Sequence, residues 1–292
     1  MRRLERLLPV ILMLLALPLS AQAGSGDSGW TAVQGQVIEI DTDALPPGAV
    51  RLKAFGRLWP VKRQKDGALR AWIGVDLDQK PGRYPLTWII GEGAKPERRT
   101  DRLTVTAGSF RISRITVAKK MAEFDAPTLA RIRADQHALM HTYSMPVKAA
   151  PDIRMQAWPV SGEISTPFGA RRYVNGEPRS PHSGIDIAVP TGTPVHAPLA
   201  GRVLLVSNMY LDGTTVVLGH GNGLVSVYCH LSHTDVKKGD WLKTGDVIGE
   251  SGMTGRATGP HLHWGVRFEK ARVDPESLLP PADAAVAAGG LR

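Results

Sequence analysis

The sequence predicts a mainly β protein: an N-terminal β-sandwich, a linking helix and a C-terminal antiparallel β-sheet domain. Three observations carry that expectation. Short runs rich in β-branched and aromatic residues recur at intervals of about 10–15 residues, broken by Gly, Pro and Asp turns, as strands and hairpins require. This pattern occurs twice, over residues 30–110 and 158–268, and residues 125–142 interrupt it with a breaker-poor run. The chain has 292 residues, enough for two cores of about 150 residues each.

Taken in order, residues 1–23 read as a cleavable export signal. Arg2, Arg3 and Arg6 form a basic end, Leu7–Ser20 is an apolar run of 14 residues, and Ala21-Gln22-Ala23 supplies small residues for cleavage. A spanning helix needs about 20 apolar residues, so this run is too short for an anchor. No later segment is apolar enough to span, so no stable membrane insertion is expected after cleavage.

Residues 24–110 read as an accessory β-sandwich with strands at Val33–Ile40, Ala49–Phe55, Leu69–Val75, Tyr84–Ile90 and Arg102–Thr106. Pro46-Pro47-Gly48, Asp66-Gly67, Pro81-Gly82 and Gly91-Glu92-Gly93 separate them. Nothing here clusters His, Cys or carboxylates, so the unit reads as non-catalytic. Residues 111–157 read as a linker with a helix: Asp125 can cap it, Pro127 fits its first turn, and Leu129, Ile132 and Leu139 can share a face. The helix carries His137 and His141 at metal-compatible spacing, but no third ligand lies near in sequence, and both read as polar-face histidines. Ser144–Pro159 reads as a proline-rich connector. Residues 158–280 form the second β unit, in which Asp212-Gly213 and Gly221-Asn222-Gly223 mark hairpins, and residues 281–292 read as a frayed Ala/Gly tail.

The formal charge is +9, or +7 without residues 1–23. The basic residues are scattered rather than grouped with aromatics, which argues against nucleic acid as a partner. An apolar fraction of 42% with 22% charged residues fits a globular chain rather than a disordered one. The single cysteine, Cys229, excludes an internal disulfide. It alternates with Val225 and Val227 and reads as a buried small hydrophobe pointing away from any site that His230 faces.

Seven of the nine histidines follow residue 180. His182 and Asp186 stand four apart, and His261 and His263 two apart, so on extended backbone each pair shares a face. Neutral imidazole and carboxylate are zinc donors, and a catalytic zinc keeps three protein ligands and one position for water. Spacing leaves two ligand sets open: His182, Asp186 and one of His261 and His263, or His182, His261 and His263 with Asp186 as orienter. Hydrolysis also needs a proton acceptor and a stabiliser for the tetrahedral intermediate. The helical His-Glu-x-x-His device is absent, and His230, on a face with Tyr228, is the remaining candidate. His220 reads as structural, and His196 and His233 as incidental.

Residues 158–275 resemble the lysostaphin-like (LytM-type) zinc metallopeptidases. The matching segments are Ser165–Gly169 (STPFG), His182–Asp186 (HSGID), Tyr228–Ser232 (YCHLS) and Gly252–His263 (GMTGRATGPHLH), with the turns of KKGDWLKTGDVIG. The resemblance implies His182, Asp186 and His263 on one zinc ion, and His230 and His261 as general base and oxyanion stabiliser. It implies a compact antiparallel sheet with a groove across the metal. It also implies endopeptidase cleavage of peptidoglycan peptides by zinc-activated water, in the periplasm of a Gram-negative cell. Cys229 stands where the family often has Ala or Gly.

Two non-enzymatic readings compete. Relatives that have lost zinc ligands activate wall amidases, but no ligand position is missing here. A wall-binding module would need no metal. The paired Gly-Asp turns also resemble a biotinyl-lipoyl carrier, but no lysine tip lies between the strands. The architecture further suggests that the N-terminal β unit could fold over the groove and limit access.

Overall fold

A computed structural model describes residues 29–43, 48–92, 95–148 and 152–280. The export signal and the C-terminal tail read from the sequence lie outside these residues. Among the described residues no helix is long and apolar enough to cross a membrane.

The N-terminal unit is two sheets. One has the order Trp30–Val33, Glu97–Thr106, Gly82–Ile90, Val50–Ala54, Arg57–Trp59, and the other Val37–Thr42, Leu69–Gly74, Val61–Arg63. Leu52, Leu86 and Leu103 from the first and Ile40, Ala71 and Ile73 from the second are wholly buried in one cluster, as sandwich alternation requires. The expected strand Val33–Ile40 is two strands. Trp30–Val33 pairs with Leu103–Thr106 and Val37–Thr42 with Leu69–Gly74, so the chain changes sheets around Gly35, whose φ is +86°. A Cβ at Gly35 would also collide with the Phe168 ring. The short strands flanking Pro60 escaped the sequence reading because they are too brief and basic to show alternation.

The connecting region is more ordered than a linker. Ile112–Ile115 pairs in parallel with Arg171–Val174, and a 3-10 turn follows at Lys119–Met121. The helix spans Ala126–Thr142, and Asp125 caps it by accepting from the Thr128 amide at 2.9 Å. Of the expected face, Ile132 is buried and Leu139 half-buried, but Leu129 stays exposed. His137 and His141 are exposed. The proline-rich connector buries Ile153 and Met155, and the Met155 amide donates to Leu278 O at 2.9 Å.

The C-terminal sheet has the order Glu163–Thr166, Gly184–Ala188, His261–Phe268, Leu224–Leu231, Gly213–Gly221, Gly201–Met209, Trp241–Leu242, with Ala271–Val273 also on His261–Phe268. Every pairing in it is antiparallel. The Gly-Asp turns repeat one device: Asp240 and Asp246 each accept from the amide three residues back, at 2.7 Å. Leu262, Trp264, Val266 and Phe268 point into the main core. The opposite face carries Val225, Val227 and Cys229, which form a second cluster covered by Leu139, Tyr143, Met145 and Val147 from the helix and its exit.

The N-terminal unit seats against the Phe268 end of this sheet. Trp59 and Phe268 have ring centroids 5.3 Å apart, and the Asp274 amide donates to Gly35 O at 2.7 Å. Arg272 bridges Asp76 and Asp78 at 2.6 Å each, and Arg154 reaches Glu39 at 2.8 Å. Buried residues of the two units form one continuous cluster.

Candidate metal centre

Asp186 lies on Gly184–Ala188 and pairs in register with His263 on the neighbouring strand, so both side chains leave one face at the same level. That close approach needs Gly184, where a Cβ would strike Trp264 O. His182 arrives from the preceding loop, its amide donating to Ala170 O at 2.9 Å. Three donor atoms then meet: His182 Nε2 is 2.9 Å from Asp186 Oδ1 and 2.9 Å from His263 Nδ1, and His263 Nδ1 is 2.8 Å from Asp186 Oδ1. His182, Asp186 and His263 are a metal-competent group among the described residues.

Proton bookkeeping favours a cation there. His182 Nδ1 lies 3.0 Å from Pro167 O, which only accepts, so the proton sits on Nδ1 and Nε2 presents a lone pair. Burial pushes the His182 imidazole toward its neutral form against the pull of Asp186. Burial raises the Asp186 carboxyl, yet its contacts with His182 and His263 outweigh that and hold it well below the usual carboxylate range. His182 Nε2, His263 Nδ1 and Asp186 Oδ1 thus bring three lone-pair-bearing atoms into mutual contact. A cation satisfies all three, and their spacing suits zinc–ligand bonds of about 2.0–2.2 Å. The residues present fit the ion.

His230 and His261 stand beside this group, with ring centroids 4.7 Å apart, and His261 Nε2 is 3.8 Å from Asp186 Oδ1. Each donates Nδ1–H to a backbone carbonyl at 2.8 Å, His230 to Thr254 and His261 to Gly259. Both carbonyls belong to the loop before His261–Phe268, and they leave Nε2 as the open nitrogen of each ring. Burial, then repulsion from His261 and His263, push the His230 imidazole down to about 3, so it is a neutral acceptor at pH 7.

The route by which His230 reaches the site corrects the sequence reading. Alternation along Leu224–Leu231 puts His230 with Ser226 and Tyr228, on the face packed against the main core. There His220 Nε2 lies 2.7 Å from Ser226 Oγ, which donates to Tyr228 Oη at 2.9 Å. His220 is therefore structural, as expected. His230 leaves this face because its backbone is left-handed, with φ +63°, and its amide donates to Asp212 O at 2.8 Å. Cys229 correspondingly does not point away: it pairs in register with His263 and shares its face. Burial first, then the Asp212 charge, push its thiol well above the usual range, which keeps it protonated. A cavity of about 90 Å³ lies between Cys229, His263, Asp212 and the helix residues Leu139 and Tyr143.

Sequence reasoning missed Arg172. Its Nη2 lies 3.3 Å from Asp186 Oδ2, so a guanidinium backs the carboxylate whose other oxygen meets the histidines. No spacing rule singles out one arginine in Arg171-Arg172. His196 and His233 are peripheral, the first on Gly245 O and the second on Asp235, each at 3.0 Å. Leu139 from the helix and Tyr143 at its end line the cavity beside His263.

An antiparallel sheet that presents a His-Asp-His donor set beside two further histidines defines a metal-dependent hydrolase of the β class. Residues 180–275 match Peptidase family M23. A solved structure of a candidate M23 peptidase from Pseudomonas aeruginosa is 34% identical with a TM-score of 0.66, covering 84% of this chain and 94% of that one. The chain belongs to the M23 metallopeptidase family. The likeness to the Pseudomonas protein extends beyond the matched domain into the N-terminal unit, since that domain alone is far shorter than 84% of the chain.

Among curated relatives, the peptidoglycan DD-endopeptidase ShyA of Vibrio cholerae is 45% identical over 112 residues, which is 37% of this chain and 26% of that protein. The DD-carboxypeptidase/endopeptidase Mpg of Neisseria meningitidis is 40% identical over 118 residues, 40% of this chain and 27% of that protein. The matched segment thus spans about a quarter of each relative's length.

Proposed function

We propose that this chain is an exported, zinc-dependent endopeptidase that hydrolyses peptide cross-links of bacterial peptidoglycan in the periplasm. The observation that carries the reading is the donor set His182, Asp186 and His263, mutually within 2.9 Å, beside two histidines whose open nitrogens are set by backbone carbonyls. The substrate class follows from the relatives at 45% and 40% identity, whose names carry endopeptidase activity.

In this reading His182, Asp186 and His263 hold one zinc ion. Bound zinc supplies a Lewis acid that polarises an amide carbonyl and acidifies water. His230 and His261 carry the protons. With Nδ1 held by a backbone carbonyl, each ring leaves Nε2 open to the site, and one of them accepts the proton of the attacking water there. Once protonated, the same imidazole becomes an N–H donor, able to steady the oxyanion and pass the proton to the departing amine. Arg172 holds Asp186 in place, and the hydrogen bonds to Thr254 and Gly259 keep either ring from rotating its bare nitrogen away.

Digestion of purified peptidoglycan by the full chain, with and without a chelator, followed by mass analysis of the released fragments, tests this. Chelator-sensitive release of fragments newly cut at a peptide bond is expected. Release unaffected by the chelator, or no peptide bond cut by the zinc-loaded protein, would sink the reading.

A further inference from the structure

We propose that Arg179 and Arg256 form an anion subsite that holds a free carboxylate of the peptide substrate beside the metal centre; this rests on the peptidase reading above.

Three guanidinium groups gather on one side of the site from three separate segments. Arg172 lies on Arg171–Val174 and touches Asp186 at 3.3 Å. Arg179 follows Glu177–Pro178, and its amide donates to Arg172 O at 2.9 Å. Arg256 sits in the loop whose Thr254 and Gly259 carbonyls orient the two histidines, and its amide donates to Leu211 O at 2.7 Å. Arg179 and Arg256 reach the carbonyls of two adjacent residues, Ala122 and Met121, which brings their guanidinium groups together; burial lowers the Arg256 pKa, and repulsion from Arg172 and Arg179 adds to it.

Their counter-charges are inadequate. Asp186 is committed to its two histidines and to the metal they would hold. Asp212 couples to Arg256, but burial pushes that carboxyl toward its neutral form. Among the described residues, Arg172 Nε is buried with no hydrogen-bond partner. Arg179 Nη2 donates to Ala122 O at 3.5 Å and Arg256 Nη1 to Met121 O at 3.4 Å, both backbone acceptors. Both contacts are at the outer limit of hydrogen bonding. Arg256 is half-buried and Arg179 exposed, and both reach stretched neutral acceptors, so an anion arriving from solvent at Arg179 would add the charge that the half-buried Arg256 lacks.

The two acceptors also describe the ligand. They are carbonyl oxygens of successive residues at the end of the Lys119–Met121 turn, side by side, each on a different guanidinium. A carboxylate presents two oxygens in the same way and adds the charge that the carbonyls lack. The stem peptides of peptidoglycan carry free carboxylates. One bound here would be fixed relative to Asp186 and to the loop that orients His230 and His261, which positions the neighbouring amide over the site.

The test uses the full zinc-loaded chain and a stem tetrapeptide, a product-like ligand that is not itself consumed, as the free acid and with its carboxylates amidated. Calorimetry is expected to give at least tenfold tighter binding of the acid. Arg256→Gln and Arg179→Gln should each bring the two affinities within about threefold, Arg256→Lys should keep part of the preference, and the exposed-helix control Arg133→Gln should keep all of it. Zinc content should be unchanged in every variant. Equal binding of acid and amide by the wild type, a preference that survives in both Gln variants, or one that falls only with lost zinc overturns the subsite. A wild-type preference lost in the Gln variants, with no cutting of peptidoglycan, leaves the subsite standing and removes the peptidase reading. Cutting without any preference does the reverse.

Discussion

His230 offers a direct test, because its position depends on one backbone torsion. Its φ of +63° is a region where any residue with a Cβ is strained by about 1–2 kcal/mol. Replacement by Ala and by Gly removes the same imidazole and the same 2.8 Å hydrogen bond to Thr254 O, a loss of about 1 kcal/mol common to both. The two variants differ only in the Cβ. In a regular strand Gly is less stable than Ala by about 0.5–1 kcal/mol. At a left-handed residue the order reverses, because relief of strain exceeds the extra unfolded-state entropy of Gly. His230→Gly should therefore be more stable than His230→Ala by about 0.5–1 kcal/mol, read from urea unfolding at matched zinc occupancy. Both should retain zinc and lose turnover by about 10²–10⁴-fold, the usual worth of a general acid–base group. If the Ala variant equalled or exceeded the Gly variant in stability, His230 would be following ordinary alternation, and the account of how it leaves the buried face would fail.

Further outcomes follow from the same geometry. His182→Ala and His263→Ala should lose zinc by metal analysis, whereas His261→Ala should keep zinc and lose turnover; activity retained in any of the three would overturn the division of roles. Chelation should lower the unfolding midpoint, since a ligand at about a hundred times its Kd contributes about 2.7 kcal/mol. Burial, then repulsion from Glu276, push the Asp274 carboxyl up to about 7 at the seam with the N-terminal unit. A raised carboxyl keeps its proton longer folded than unfolded, so stability falls as pH rises from about 4 to about 7. Asp274→Asn keeps a good capping side chain and should flatten that slope; an unchanged slope in pH-dependent urea unfolding would remove Asp274 as its source.

Legibility in the sequence followed the range of the governing interaction. His261 with His263 was readable because even spacing on a strand is local, whereas His182 reaches Asp186 from the loop before Gly184–Ala188, and the register Asp186–His263 is what joins the two pairs. The same rule misplaced His230, whose left-handed torsion breaks an alternation that no residue type announces, and so put the histidine cluster on the wrong side of Cys229, which keeps its face beside Val225 and Val227. Val33–Ile40 looked continuous because its break serves a change of sheet, which is a tertiary event centred on Gly35. Ile112–Ile115 was invisible: its partner lies about 60 residues away, and the parallel pairing needs no turn between them. Arg172 went unnoticed for a related reason, as its contact with Asp186 exists only once the sheet is assembled.

The carbonyls of Pro167, Thr254 and Gly259 that hold His182, His230 and His261 have a consequence for how this enzyme can vary. Main-chain oxygens belong to every residue alike, so loop shape rather than loop composition dictates which nitrogen of each ring stays open. Side chains on those loops are then free to be exchanged without disturbing the proton chemistry, provided the backbone path survives. Arg256, two residues from Thr254, sits on such a loop. If the proposed subsite is right, preference for one peptide over another can thus drift there while the reactive centre stands still.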